Sequence, residues 1–63
     1  DRQLADRVAN GSYNLLTTMI SFCVLLLMHS QPGEQAFGDV MKIKQNANRG
    51  ASLVRQLLAF SRQ

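Results

Sequence analysis

The chain has 63 residues, 46% of them hydrophobic and 17% charged, with a formal net charge of +3. That length admits one small domain. One cysteine, Cys23, and one histidine, His29, exclude a disulfide framework and a Cys/His zinc site, so no metal is expected. The basic residues Arg2, Arg7, Lys42, Lys44, Arg49, Arg55 and Arg62 are scattered and form no dense patch, so no nucleic-acid partner is expected.

The first predicted element is a helix over about residues 2–29. Leu4, Val8, Leu15, Met19, Phe22 and Leu26 step by threes and fours, and Leu16, Ile20, Cys23 and Leu27 form a second stripe beside them. Together they make an apolar face wider than one partner helix would cover. The run from Leu15 to Met28 is shorter than the roughly 20 residues of a membrane span. It also carries Thr17, Thr18 and Ser21. A buried bundle helix is therefore expected, without membrane insertion, and the run lacks the basic leader and cleavage site of a signal peptide. Cys23 reads as a small core residue, and a lone free thiol suits a cytoplasmic setting. Asn10-Gly11-Ser12 places three poor helix formers together. The apolar phase of Leu4 and Val8 continues into Leu15, so the helix is expected to run through this weak point. The alternative is fraying and a restart with Ser12 as N-cap.

Pro32-Gly33 marks a turn over residues 30–34. A second helix is expected over about 35–62. Ala36, Val40, Ile43, Ala47, Gly50, Val54 and Leu57 alternate spacings of four and three, and Phe37, Leu53, Leu58 and Phe60 widen the face. Ala47, Gly50 and Ala51 would permit close helix approach, while Asp39, Lys42, Gln45, Arg49 and Gln56 fall on the outer side. Asp1, Asp6, Glu34 and Asp39 near helix starts, and Arg55 and Arg62 near a helix end, suit the helix dipoles. The fold class is thus all-α, a single antiparallel hairpin spanning residues 1–63. A hairpin of this size buries little surface. It is expected to pair with a second copy as a two-fold homodimer and four-helix bundle. The dimer core would use Leu15, Met19, Phe22, Leu26, Val40, Ile43, Ala47, Gly50, Val54 and Leu57.

Several segments resemble the dimerisation and histidine-phosphotransfer domain of bacterial sensor histidine kinases. They are Asn14-Leu15-Leu16-Thr17, Phe22-Cys23 with Leu25-Leu26-Leu27, and Gln31-Pro32-Gly33-Glu34. The tail adds Ile43 to Arg49 and Leu53 to Arg62 and is the most specific part. In that family the first helix carries a box reading roughly His-Asp-Phe-Asn-Asn-Leu-Leu-Thr. Aligned on Asn14 to Thr17, the phosphoacceptor histidine falls on Asn10 and the adjacent acid on Gly11, while Asn14 is retained. An imidazole nitrogen can attack a phosphoryl group with a carboxylate's help. An amide nitrogen and a glycine can do neither, so no catalytic residue is intact.

Other residues are weak replacements. His29 lies about five helical turns away, where a helix-end role is expected. Ser12 and Tyr13 are near the right level but lack an activating base.

The resemblance implies further partners: a receiver domain, and an ATP-binding domain that follows this one in the parent kinase. ATP is therefore no cofactor of these 63 residues. Receiver docking is expected at Asn14, Thr17, Thr18 and Ser21, with Ser52, Arg55 and Gln56 opposite. The expected role is assembly and docking in a cytoplasmic signalling protein whose parent is anchored to a membrane or free of it. Natural loss and deliberate redesign of the box both fit. The alternatives are a generic structural or adaptor bundle with no signalling role and, as the weakest, a self-sufficient phosphotransfer enzyme.

Overall fold

A computed structural model describes residues 2–61. Two helices, α1 (Arg2–Met28) and α2 (Gln35–Ser61), pack side by side in opposite directions. This is the all-α hairpin expected from the sequence. The rod measures 46 × 14 × 12 Å, with a radius of gyration of 14.4 Å. A compact chain of this length would have a radius near 11 Å.

α1 runs unbroken through Asn10, Gly11 and Ser12. Gly11 is exposed, and a Cβ placed on it would meet nothing within 4 Å. The helix therefore continues there without a packing contact that requires glycine.

The turn is closed by backbone and side chain together. The Glu34 N–H donates to the Gln31 carbonyl at 3.0 Å, and the Gln31 N–H donates to Glu34 Oε1 at 2.8 Å. Pro32 supplies the preset φ that such a turn favours. Gly33 does not adopt a positive φ, so the turn uses no left-handed residue. At the end of α1, carbonyls that have lost their helical donors are met by side chains. The Ser30 hydroxyl donates to Leu26 O at 2.6 Å, and His29 Nδ1 bonds Leu25 O at 2.8 Å. A carbonyl can only accept, so the proton sits on Nδ1. His29 is thus a helix-end cap.

The dipole expectation is weakened. No acid lies in the first turn of either helix and no base in the last turn. Glu34 directly precedes α2, but Asp6, Asp39 and Arg55 lie beyond the single turn over which the dipole acts. Asp1 and Arg62 fall outside the described residues.

The hairpin seam is narrow and built from small side chains. Ala9, Cys23, Ala47, Ala51 and Leu58 are its buried residues. Leu16, Ile20 and Leu27 are half-buried beside them. Thus the second stripe of α1, with Cys23 only 6% exposed, is the one that meets α2. A Cβ on Gly50 would stand 3.4 Å from Leu16 Cδ1, so small residues do set the helix spacing at mid-height. At the open end, the Ser61 hydroxyl lies 2.6 Å from Asp6 Oδ1 and 3.1 Å from Leu58 O. One hydroxyl proton serves one acceptor at a time, and the shorter contact ties the two helices together.

Gly38 gives a direct check on helix continuity. It is exposed inside α2, and a Cβ there would meet nothing within 4 Å. Gly38→Ala should raise stability by about 0.5–1 kcal/mol, because only the backbone entropy of the unfolded chain changes. Chemical denaturation at fixed protein concentration measures this, and an unchanged midpoint would contradict an ordered helix at Gly38.

Candidate functional site

The two sides of the hairpin differ in chemistry. On one side, Leu4, Ala5, Val8, Ala9 and Ser12 of α1 line a groove with Val54 and Leu57 of α2. Further along the same side, Leu16 and Met19 line a second groove with Lys42, Ile43, Asn46 and Ala47. The residues flanking these grooves are open to solvent: Leu15 is 69% exposed, Phe22 61% and Leu57 56%. Leu4, Val8, Met19, Leu26 and Ile43 are exposed with them.

The positions assigned from sequence to a dimer core therefore divide. Leu15, Met19, Phe22, Leu26, Ile43 and Leu57 form the uncovered face. Val40, Gly50 and Val54 are half-buried at its edge, and Ala47 is buried within the hairpin seam.

The opposite side is polar. Tyr13, Thr17, Ile20 and Ser21 of α1 and Asn48, Ala51, Ser52 and Arg55 of α2 line an open groove of ≈ 410 Å³. Four residues of the expected docking set, Thr17, Ser21, Ser52 and Arg55, come together here. Asn14, Thr18 and Gln56 are exposed and do not line the groove. Tyr13, Ile20, Asn48 and Ala51 also line the groove and lay outside that set. Sequence reasoning weighed Ser12 and Tyr13 as a pair of hydroxyls, but they line different grooves, Ser12 the apolar one and Tyr13 the polar one.

Three hydroxyls on α1 are already engaged. Thr17 and Thr18 donate to Asn14 O at 3.0 and 2.9 Å, and Ser21 donates to Thr17 O at 3.0 Å. Their protons point back to their own helix, which leaves oxygen lone pairs for a visitor. Donors lining the groove include Arg55, the Asn48 amide and the Tyr13 and Ser52 hydroxyls. A surface of this kind can hold a polar protein partner. Asn10, Gly11 and Asn14 are all exposed on α1, with Asn10 and Asn14 one turn apart. No side chain among the three is a nucleophile or a strong base. Among the described residues, no group of three or more His, Cys, Asp or Glu side chains could hold a metal ion.

The sequence comparison gives this geometry a setting. The chain is 54% identical over 61 residues to the sensor kinase CckA of Brucella abortus (strain 2308), a match covering 97% of this chain. It is a histidine kinase-related helical segment. The segment spans 6% of the length of that curated relative. No family model matches the chain, and no solved structure does.

The α1 helix of this sensor-kinase-related segment is also long and apolar enough, by length and composition, to cross a membrane. The sequence reading counted only the unbroken apolar run; the whole helix is longer. The same test is passed by a bundle helix whose apolar face awaits a partner.

Proposed function

We propose that this hairpin is a dimerisation and receiver-docking segment of a sensor histidine kinase in which the phosphoacceptor position has been lost. One observation carries the reading: an apolar face and a polar groove occupy opposite sides of the same two helices. A single helix hairpin with both surfaces can be joined to a twin on one side and still present the other. The relatedness to a sensor kinase segment supplies the signalling context.

Area supports the twin. The chain exposes 4925 Å² at a mass of 7.0 kDa. A compact monomer of that mass would expose about 4000 Å². The excess, roughly 900 Å², is close to the ~800 Å² per partner of a standard interface.

The distribution of apolar residues also suits one arrangement of the twins. At the open end, both helices are apolar on this side, through Leu4, Val8, Leu53, Leu57 and Phe60. Toward the turn, α1 is apolar there through Met19, Phe22 and Leu26, while α2 sets Ile43 among Asp39, Lys42 and Asn46. A two-fold axis along the rod sets wide apolar ends against each other and keeps the polar stretch of α2 at the rim. An axis across the rod would press Leu57 and Phe60 on Lys42 and Asn46.

The same face would be covered by lipid if α1 spanned a membrane. The bundle reading is preferred because Asn14, Thr17 and Ser21 form a polar stripe along α1 that lipid would have to cover. The buried free thiol of Cys23 suits a reducing, cytoplasmic compartment. The ATP-binding domain of the parent kinase remains a proposed partner through the sensor kinase resemblance.

Docking is tested with purified receiver domains from phosphorelays and titration calorimetry. A receiver that binds should lose about tenfold or more in affinity to Arg55→Ala, because a charged donor at a desolvated protein contact is worth about 1.5–3 kcal/mol. Thr18→Ala, outside the groove, should change binding little. Absence of binding to every receiver, with the dimer intact, would favour a plain structural bundle.

A further inference from the structure

We infer that Asn10-Gly11 is a site of spontaneous backbone rearrangement, where the Asn10 amide is lost and a carboxylate appears in its place. The chemistry is independent of the proposed function. The Gly11 nitrogen can attack Asn10 Cγ once the peptide leaves its helical conformation. The N–Cγ bond forms, the nitrogen's proton passes to solvent base, and the side-chain nitrogen departs as ammonia. A five-membered succinimide results. Water then opens the ring at either carbonyl, giving aspartate or isoaspartate, with no oxidant or reductant involved.

Three observations favour this position. First, Asn10 and Gly11 are both exposed, and the space where a Cβ on Gly11 would stand is empty to 4 Å. No side chain at residue 11 hinders the attacking nitrogen once it is released. Second, the other asparagines precede residues with side chains that hinder such attack: Asn14 precedes Leu15, Asn46 precedes Ala47 and Asn48 precedes Arg49. The Asn46 amide is also held by Lys42 O at 2.9 Å. Third, the helix is weakest at this point. The Gly11 N–H belongs to the helical ladder and must be released before it can react. Asn, Gly and Ser in succession lower the cost of that local opening. Between Ala9 and Cys23, no residue of α1 is fully buried to oppose it.

The products alter the segment physically. Either one adds a negative charge and takes the formal net charge from +3 to +2. Isoaspartate also inserts a methylene into the main chain and interrupts α1 between Ala9 and Ser12. Asn10 shares its side of α1 with Thr17 and Ser21 by helical spacing, so the new carboxylate stands beside the polar groove.

The purified chain is incubated at mildly alkaline pH, sampled over time and mapped by peptide mass spectrometry with isoaspartyl methyltransferase labelling. Asn10 should lose its amide at least about tenfold faster than Asn14, Asn46 or Asn48, given the lower cost of local opening. Both aspartyl products should appear. Gly11→Ala should suppress the reaction while circular dichroism shows an intact helix. Gly38→Ala stabilises helix without touching the reacting nitrogen and should leave the Asn10 rate closer to that of the unaltered chain. Loss at Asn10 no faster than at Asn48, or equal slowing by Gly11→Ala and Gly38→Ala, would overturn the inference.

Discussion

If the hairpin pairs as proposed, Phe22→Asp should convert the dimer to a poorly folded monomer. Phe22 is 61% exposed in the hairpin and stands between Met19 and Leu26 on the uncovered face. Burying such a side chain is worth about 1.5–3 kcal/mol. A two-fold dimer contains it twice, so roughly 3–6 kcal/mol of association energy disappears, before any cost of placing a charge in the seam. That weakens the dissociation constant by about two to four powers of ten. The hairpin has little with which to survive alone, since its own buried core is Ala9, Cys23, Ala47, Ala51 and Leu58. Helicity should therefore fall together with association. Sedimentation equilibrium and circular dichroism over a concentration series measure both. Thr18→Asp introduces the same charge at an exposed position outside the grooves and should leave the dimer intact. An unaltered chain that is monomeric and fully helical at micromolar concentration would refute the dimer.

Periodicity made the helices legible, because an apolar step of three and four fixes which residues share a face. It did not say which of two neighbouring stripes on α1 would meet α2. Both stripes carry leucines and differ most at Phe22 against Cys23, and the hairpin covers the stripe of Leu16, Ile20, Cys23 and Leu27, with Cys23 buried. The physical reason lies in α2, where Ala47, Gly50 and Ala51 allow close approach at mid-height. Small residues there leave room for the Leu16 side chain to reach the Gly50 backbone. The stripe that carries Phe22 is left exposed.

The site was partly legible in the same way. Antiparallel pairing placed Thr17 and Ser21 opposite Ser52 and Arg55, and these four do line one groove. Ile20 and Asn48 were missed because apolar and amide residues carry no docking signature on their own. The pairing of Ser61 with Asp6 at 2.6 Å was invisible for another reason. It depends on the axial stagger of the two helices, which the turn sets and periodicity does not.

Restoring two side chains should restore phosphate acceptance. In the proposed reading, Asn10 stands where the family has its nucleophile and Gly11 where it has the assisting acid. The amide of Asn10 has its nitrogen lone pair delocalised into the carbonyl, so the unaltered chain should take no phosphate. Asn10→His supplies an imidazole nitrogen, and Gly11→Asp supplies a carboxylate to orient it and accept its proton. Both replacements should fit without rebuilding the helix. Asn10 is exposed, and a Cβ on Gly11 meets nothing within 4 Å. General acid–base help of this kind contributes about 10²–10⁴-fold. The double variant should therefore label at least about 100-fold faster than Asn10→His alone, by the same assistance. The assay supplies labelled ATP and the purified ATP-binding domain of a related sensor kinase, and follows acid-labile phosphate on the chain. His29 gives an internal control. Its Nδ1 is tied to Leu25 O at 2.8 Å, and it lies at the far end of α1, so His29→Gln should leave labelling of the double variant unchanged. Phosphate on the unaltered chain at the rate of the double variant would mean that the acceptor lies elsewhere and that Asn10 is a bystander. No phosphate on the double variant, with helix and dimer preserved, would mean that alignment with the family box fails at the position where chemistry requires it.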